Sequence, residues 1–208
     1  MKFKRLENYQ TDENTYIVYD ENTLNGIVID PGSEADKIIA AADSKDIKIK
    51  YIFITHCHYD HIEYMEELRK KTGAPLVCGK AAGINITDPD INLSPAGLGY
   101  PISAKKAEII LADGEELRLD GMNVTCIYTP GHTNCSVCYL IGNDMFCGDT
   151  LFLRNCGRWD LPTGDENTLI SSVKNKIYTL DENIILHPGH GADTTIGYEK
   201  KFNFYIKD

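Results

Sequence analysis

Tyr51-Ile52-Phe53-Ile54-Thr55-His56-Cys57-His58-Tyr59-Asp60-His61 is the stretch on which the reading of this chain turns. Its first four residues are an apolar, β-branched and aromatic run of the kind that forms a buried strand. Its last six hold three imidazoles and a carboxylate, the groups most often found around a transition metal. Beyond them Ile62, Met65, Leu68 and Arg69 keep helical spacing until Gly73-Ala74-Pro75 ends the helix. The cluster therefore occupies a strand-to-helix loop, where sites are commonly built. Any one of these histidines alone would pass for an ordinary surface or core residue. Burying four such groups together without a cation is costly, so the grouping points to metal. Cys57, alternating with two candidate ligands, is expected to face away from them.

Upstream, strands are expected over 15–19 and 24–29, the second closed by Asp30-Pro31-Gly32. Ser33 is placed to cap a following helix, with Asp36 three residues on and Ile38, Ile39, Ala41 and Ala42 along one face. Strand, helix and strand in that order mark an α/β chain. Residues 83–105 are rich in Asn, Pro, Gly and Ser and have no period, so a long loop of the functional-lid kind is expected there. From Ala107 short strands return at 108–111, then a hairpin through Asp113-Gly114, then 116–119, 123–128, 136–141 and 144–147. A helix over 166–180 and a strand over 183–186 follow. A β-rich first part followed by a similar second part suggests two sheets with helices outside.

The 208 residues suit one domain, 1–208, with a core that needs no disulfide scaffold. Lys plus Arg total 21 against 31 Asp plus Glu, a formal charge of -10 with no basic run. That balance argues against nucleic acid or an anionic membrane as partner. Bound divalent metal would make the site locally positive, which leaves an anionic small-molecule substrate compatible. The basic start Met1-Lys2-Phe3-Lys4-Arg5 leads into no apolar segment, so a cytoplasmic location is expected. Seven cysteines, an odd number, suit reduced thiols. Cys135 and Cys138 form a C-x-x-C, but no second pair follows and the run Ser136-Val137-Cys138-Tyr139-Leu140-Ile141 reads as a buried strand. The aromatic tail Phe202, Phe204 and Tyr205 is expected to pack on its own domain; oligomeric state leaves no sequence signal.

Three later motifs share one form, a strand ending in a small-residue turn that carries one candidate ligand: Thr129-Pro130-Gly131-His132-Thr133, Cys147-Gly148-Asp149-Thr150-Leu151 and His187-Pro188-Gly189-His190-Gly191. Pro and Gly turn the backbone sharply enough for such ligands to face a common centre. Setting His187 aside as a non-ligand leaves five histidines and two carboxylates. That is too many for one metal and fits two, roughly 3.5–4 Å apart, sharing a carboxylate and a water or hydroxide.

The order HxHxDH, GH, GD, PGH resembles the metallo-β-lactamase superfamily over nearly the whole chain. It is most similar to the short glyoxalase-II-like hydrolases, whose GDTLF and GRxDLP match Gly148-Asp149-Thr150-Leu151-Phe152 and Gly157-Arg158-Trp159-Asp160-Leu161-Pro162. Their GHG-x-x-TTIG is matched in part, with Ala192-Asp193 ahead of Thr194-Thr195-Ile196-Gly197. The resemblance implies an α/β (α+β) fold, a four-layer αββα sandwich with its site at one edge of the paired sheets. It assigns His56, His58 and His132 to one metal, Asp60, His61 and His190 to the other, and Asp149 to both. Zinc is the default metal, and iron or manganese are equally compatible with imidazole. A metal-held hydroxide, with Asp60 and Asp149 as the catalytic carboxylates, would attack a thioester or related ester. A thiolate leaves easily, its thiol having a pKa near 8.5, which suits a site with no evident separate general acid. The resemblance gives Arg158 and Asp160 a supporting role, as a pair bracing the metal loop or meeting substrate; Trp159 between them is a packing or subunit-contact residue. Asn14 and Asp30 are expected to take hydrogen-bonding, structural roles. Full-length glyoxalase II owes much of its glutathione contact to a C-terminal helical domain, whereas eighteen residues follow His190 here, so glutathione does not carry over. The rival is a persulfide dioxygenase, which resembles this chain over 154–160 and holds a single iron on the equivalents of His56, His132 and Asp149. Pro188-Gly189-His190 favours the hydrolase. A non-catalytic metal-binding protein is a third reading, disfavoured because no ligand is missing.

Overall fold

The computed structural model of the chain describes residues 1–207. Its first sheet comprises β1 (Lys2–Asn8), β2 (Glu13–Tyr19), β3 (Asn25–Ile29), β4 (Lys48–Phe53), β5 (Leu76–Gly79) and β6 (Ile109–Leu111), side by side in chain order. β1 to β3 run antiparallel; β3 to β6 run parallel. The parallel crossovers carry α1 (Ala35–Asp43), α2 (Tyr59–Ile62) and α3 (Met65–Thr72), then α4 (Ala82–Asn85), α5 (Pro89–Asn92) and α6 (Ser94–Leu98). The second sheet is built from β7 (Glu116–Leu119), β8 (Met122–Tyr128), β9 (Val137–Ile141) and β10 (Asp144–Gly148). After a small hairpin of β11 (Leu151–Phe152) and β12 (Asn155–Cys156) come α7 (Glu166–Ser172), β13 (Ile185–Pro188), β14 (Thr194–Thr195) and α8 (Ile196–Phe202). β13 lies parallel to β10, and β14 closes that edge.

Period-2 alternation explains the four layers. On β2, Tyr16 and Val18 face the space between the sheets, while Ile17 and Tyr19 face the helices of the first half. Tyr139 and Phe146 enter the same central layer from β9 and β10, and Cys138, Met145 and Cys147 turn to the opposite face, under α7 and α8. Strands buried on both faces are therefore nearly continuous apolar runs, as in Tyr51-Ile52-Phe53-Ile54. The result is the expected αββα sandwich.

Several local expectations are corrected. Ser33 does not cap α1: the cap position is Glu34, without a side-chain bond, and Ser33 N–H instead donates to Thr15 Oγ1 at 3.0 Å. The helix after the histidine cluster breaks between Ile62 and Met65 into α2 and α3. The helix expected over 166–180 is α7 followed by a π-helical turn, Val173–Ile177. Asp113-Gly114 is no hairpin, because β6 and β7 belong to different sheets. Gly114 N–H donates to Cys126 O and Asp113 Oδ1 accepts from Tyr128 N–H, both at 2.7 Å, so β8 draws the turn into the second sheet. The segment 83–105 is largely helical single turns and not a loop. Asp88 and Asn92 satisfy backbone donors there, and Ile86, Asn92, Ser94 and Ile102 are buried. The aromatic tail lies on the domain's surface: Phe202, Phe204 and Tyr205 are 51, 67 and 57% exposed, but Phe202 packs on Tyr198 with ring centroids 4.8 Å apart and Tyr205 meets Trp159 edge-on at 6.2 Å. Ile206 and Asn203 anchor the tail, Asn203 bonding Asn155 O and the Ile206 N–H. Among the described residues no helix is long and apolar enough to cross a membrane.

Candidate metal centre

Both sheets end at one edge, and each candidate ligand follows a strand that stops there. β4 leads to His56, His58, Asp60 and His61; β8 leads to His132; β10 to Asp149; β13 to His190. The sheets are tied at this edge by Val137 N–H donating to Thr55 O at 2.9 Å. Parallel pairing of β10 with β13 sets Gly148 opposite Pro188, which brings Asp149 beside His190. Glycine is required at two of these turns. Gly148 has φ 47°, and a Cβ on it would lie 2.2 Å from Thr55 Oγ1. A Cβ on Gly189 would lie 2.4 Å from Asp149 Oδ1 and 2.5 Å from the His61 ring.

All seven expected side chains converge. Their ligand atoms form three overlapping groups, His56–His58–His132, His56–His61–Asp149 and Asp60–His61–His190, each with all atoms within 4.8 Å of one another. His190 Nε2 lies 3.3 Å from Asp60 Oδ2 and 3.6 Å from Asp149 Oδ2; His61 Nε2 lies 3.4 Å from Asp149 Oδ1. Asp149 stands between the two histidine groups, 3.7 Å from His132 Nε2 on the other side.

The outer nitrogen of four imidazoles is fixed. His132 Nδ1–H donates to the Arg158 carbonyl at 2.6 Å and His190 Nδ1–H to the Asp12 carbonyl at 3.1 Å. Asp30 governs the other two. Its Oδ2 accepts from His61 Nδ1–H at 3.0 Å and from the Thr55 hydroxyl at 2.7 Å, and Thr55 Oγ1 in turn accepts from His56 Nδ1–H at 3.1 Å. These bonds leave an Nε2 lone pair on each of the four rings, aimed inward, as outer partners of metal-bound histidines do. Inside, Nε2 of His56 and of His61 and Oδ1 of Asp149 are buried with no hydrogen-bond partner, while His58 brings its Nδ1 to 3.0 Å from His132 Nε2. Unpartnered buried acceptors are costly, and a divalent cation satisfies them. The donor set therefore fits a metal.

Electrostatics agree. Burial, then the neighbouring rings, hold His56 far below the ordinary imidazole range and push His58 down to about 3. Burial also opposes charge on His61, but Asp149, Asp60 and Asp30 outweigh it and raise this ring well above its usual value. Asp149, despite burial, is held well below the carboxylate range by His61 and His190. The centre is thus a set of neutral rings on one side and a carboxylate-rich side on the other.

The family model described as the metallo-beta-lactamase superfamily matches residues 9–190. The chain belongs to the metallo-β-lactamase superfamily. It is 33% identical over 202 residues to the hydroxyacylglutathione hydrolase GloC of Haemophilus influenzae, covering 93% of this chain and 92% of that protein. The crystal structure of the BLEG-1 B3 metallo-beta-lactamase superposes with a TM-score of 0.93 at 31% identity, covering both chains fully at 100% each. TTHA1623 in a di-iron-bound form superposes with a TM-score of 0.84 at 28% identity, covering 98% of this chain and 100% of that one. Superfamily members bind divalent metals and are mostly metal-dependent hydrolases.

Of the remaining expectations, His187 stays outside the centre, between Asp144 (2.8 Å) and Asp193 (3.2 Å) and stacked on Phe146. Cys57 points away into the core, its Sγ 3.4 Å from that of Cys135, whereas Cys138 faces Thr129; the two halves of the C-x-x-C diverge. Asn14 ties the ligand turn down by donating to Pro188 O and Gly191 O. Arg158 and Asp160 form an exposed two-point ion pair at 2.7 and 2.8 Å, and it is the Arg158 backbone, not the guanidinium, that steadies His132. Sequence reasoning missed Thr55 and the carbonyls of Asp12 and Arg158, since a main-chain oxygen leaves no residue-type signal. It also missed Tyr59, Phe152 and Leu161 in the non-ligand walls of the cleft, which with Leu93, from the 83–105 segment expected to be functional, join Arg158 around about 450 Å³.

Proposed function

We propose that the protein is a dinuclear metal-dependent hydrolase acting on a thioester or related ester. The observation that carries this reading is Asp149, set among five converging histidines, with its own Oδ1 and the Nε2 atoms of His56 and His61 buried and unpartnered. His56, His58 and His132 would hold one divalent metal, Asp60, His61 and His190 the second, with Asp149 shared; zinc is the expected metal, with iron or manganese as outcomes of metal analysis. Two such ions would supply Lewis acidity toward a carbonyl and lower the pKa of water from 15.7 to about 7. The chain's own residues do the rest. Asp30 and Thr55 keep the His56 and His61 rings in one tautomer, and the carbonyls of Arg158 and Asp12 do the same for His132 and His190. Apart from the ligands, the described residues that line the cleft are Tyr59, Leu93, Phe152, Arg158 and Leu161, among which the weakly acidic Tyr59 phenol is the one neutral proton donor. A leaving group that departs unprotonated is therefore favoured, and a thiolate is one. Arg158 at the rim suits an anionic small substrate.

Metal analysis of protein purified without added metal, run beside a thioester assay and an oxygen electrode with a persulfide, tests the proposal. Two ions per chain with thioester turnover supports it. One iron with oxygen uptake would replace it with the dioxygenase.

A further inference from the structure

Leu93 joins α5 to α6 with φ 63° and ψ 14°, a left-handed conformation that a leucine adopts at a cost because its Cβ crowds the backbone. Strain of this kind persists only where the surroundings impose it. Here they do. Asn92 and Ser94, both fully buried, flank the residue: Asn92 Nδ2 donates to Ile86 O at 3.2 Å, Asn92 Oδ1 accepts from Ser94 N–H at 2.9 Å, and Ser94 Oγ accepts from Ile102 N–H at 2.9 Å. α6 is pressed onto α2 through Gly97, where a Cβ would lie 2.2–2.5 Å from the atoms of the Tyr59 ring. The side chain so presented reaches no core. Leu93, Phe152 and Leu161 are half-buried, lie outside all three apolar clusters and line the metal cleft together. Leu24, also left-handed, shows the contrast, since it packs into the first core.

We propose that Leu93, together with Phe152 and Leu161 of the same cleft, selects the group attached to the reacting carbonyl, and that this group is apolar, an aliphatic or aryl acyl chain. The inference rests on the thioester reading and adds the acyl class to it. A cleft of about 450 Å³ encloses an acyl group and the thioester but leaves most of a carrier thiol outside. Against the wall made by Leu93, Phe152 and Leu161 a polar hydroxyacyl group would set its hydroxyl beside side chains with no donor or acceptor, the cleft's polar groups other than the ligands being Tyr59 and Arg158.

The test uses Leu93→Gly, since glycine keeps the left-handed turn without strain. Calorimetry on the metal-loaded protein measures binding of the straight-chain carboxylates acetate, butyrate and hexanoate, the acyl halves of hydrolysed thioesters. Wild type is expected to bind hexanoate at least about tenfold more tightly than acetate, and Leu93→Gly to lose most of that difference. The kcat/KM ratio for hexanoyl over lactoyl thioesters should fall in parallel, while the variant melts no lower than wild type. A wild type indifferent to chain length, a variant that keeps the preference, or a variant that melts well below wild type overturns the proposal, the last by making Leu93 a structural residue. Carboxylate selectivity lost in the variant, with no thioester turned over by wild type, would leave the apolar wall in place and remove the thioester reading instead.

Discussion

Replacing Asp30 by asparagine alters one atom at the end of two proton chains. In the native protein Oδ1 accepts from Thr55 N–H at 2.6 Å, and Oδ2 accepts both from the Thr55 hydroxyl and from His61 Nδ1–H. An asparagine that keeps its oxygen toward Thr55 N–H must turn its NH2 toward Thr55 Oγ1 and His61 Nδ1. The chains then reverse: His61 Nδ1 becomes an acceptor and carries its proton on Nε2, and the Thr55 hydroxyl donates to His56 Nδ1, moving that proton to Nε2 as well. Both rings lose the lone pair aimed at the centre. The opposite flip sets NH2 against Thr55 N–H, a buried donor–donor contact costing about 1–3 kcal/mol. Loss of an outer partner of this kind weakens metal binding about 10–100-fold, or roughly 1.4–2.7 kcal/mol. Because the proposed assignment gives His56 to one metal and His61 to the other, both steps of a metal titration should weaken while the circular dichroism spectrum stays native. Two ions bound by Asp30→Asn as tightly as by wild type would refute the tautomer argument.

Asp149→Ala and His132→Ala should each abolish turnover with the fold largely kept; full turnover in metal-analysed Asp149→Ala would exclude a shared role for that carboxylate. Gly189→Ala pushes a methyl against Asp149 Oδ1 and the His61 ring, so metal content after dialysis should drop, and overpacking should cost about 1–3 kcal/mol in a denaturant titration. Stripping metal with a chelator should lower the melting temperature reversibly, since metal at 100 times its Kd holds the native state by about 2.7 kcal/mol. In metal-free protein His58 sits at about 3, against about 6.5 when unfolded. Between those values the unfolded chain binds a proton that the folded one refuses, so this residue makes stability fall as pH drops from about 6.5 toward 3, by up to about 1.4 kcal/mol per pH unit. His58→Asn should flatten that part of the curve measured by urea unfolding at stepped pH, and an unchanged slope would contradict the assigned shift.

Much of the site and most of the strands were legible because they rest on local signals. Short apolar runs bounded by turn residues marked β2, β4 and β8 to β10, and Pro-Gly and Gly-Asp turns marked the strand ends from which His132, Asp149 and His190 project. What the linear pattern could not carry depends on partners distant in the chain. Asp113-Gly114 has hairpin chemistry, yet bonds from Cys126 and Tyr128 pull it into the other sheet. Ser33 looks like a cap, but the cap position falls one residue later, at Glu34, and Thr15 Oγ1 holds the Ser33 N–H from another strand. Residues 83–105 have turn-forming composition and no period, and become helical turns only because Asn92 and Ser94 find buried backbone partners. The aromatic tail rests on the surface through Phe202 on Tyr198 and Tyr205 on Trp159, with Ile206 as its buried anchor. By itself the sequence determined which side chains can bind metal, since ligand chemistry belongs to residue type and spacing. Only the tertiary structure decided which nitrogen each imidazole presents and what walls the cleft, because both are set by carbonyls, carboxylates and a strained leucine brought in from other parts of the chain.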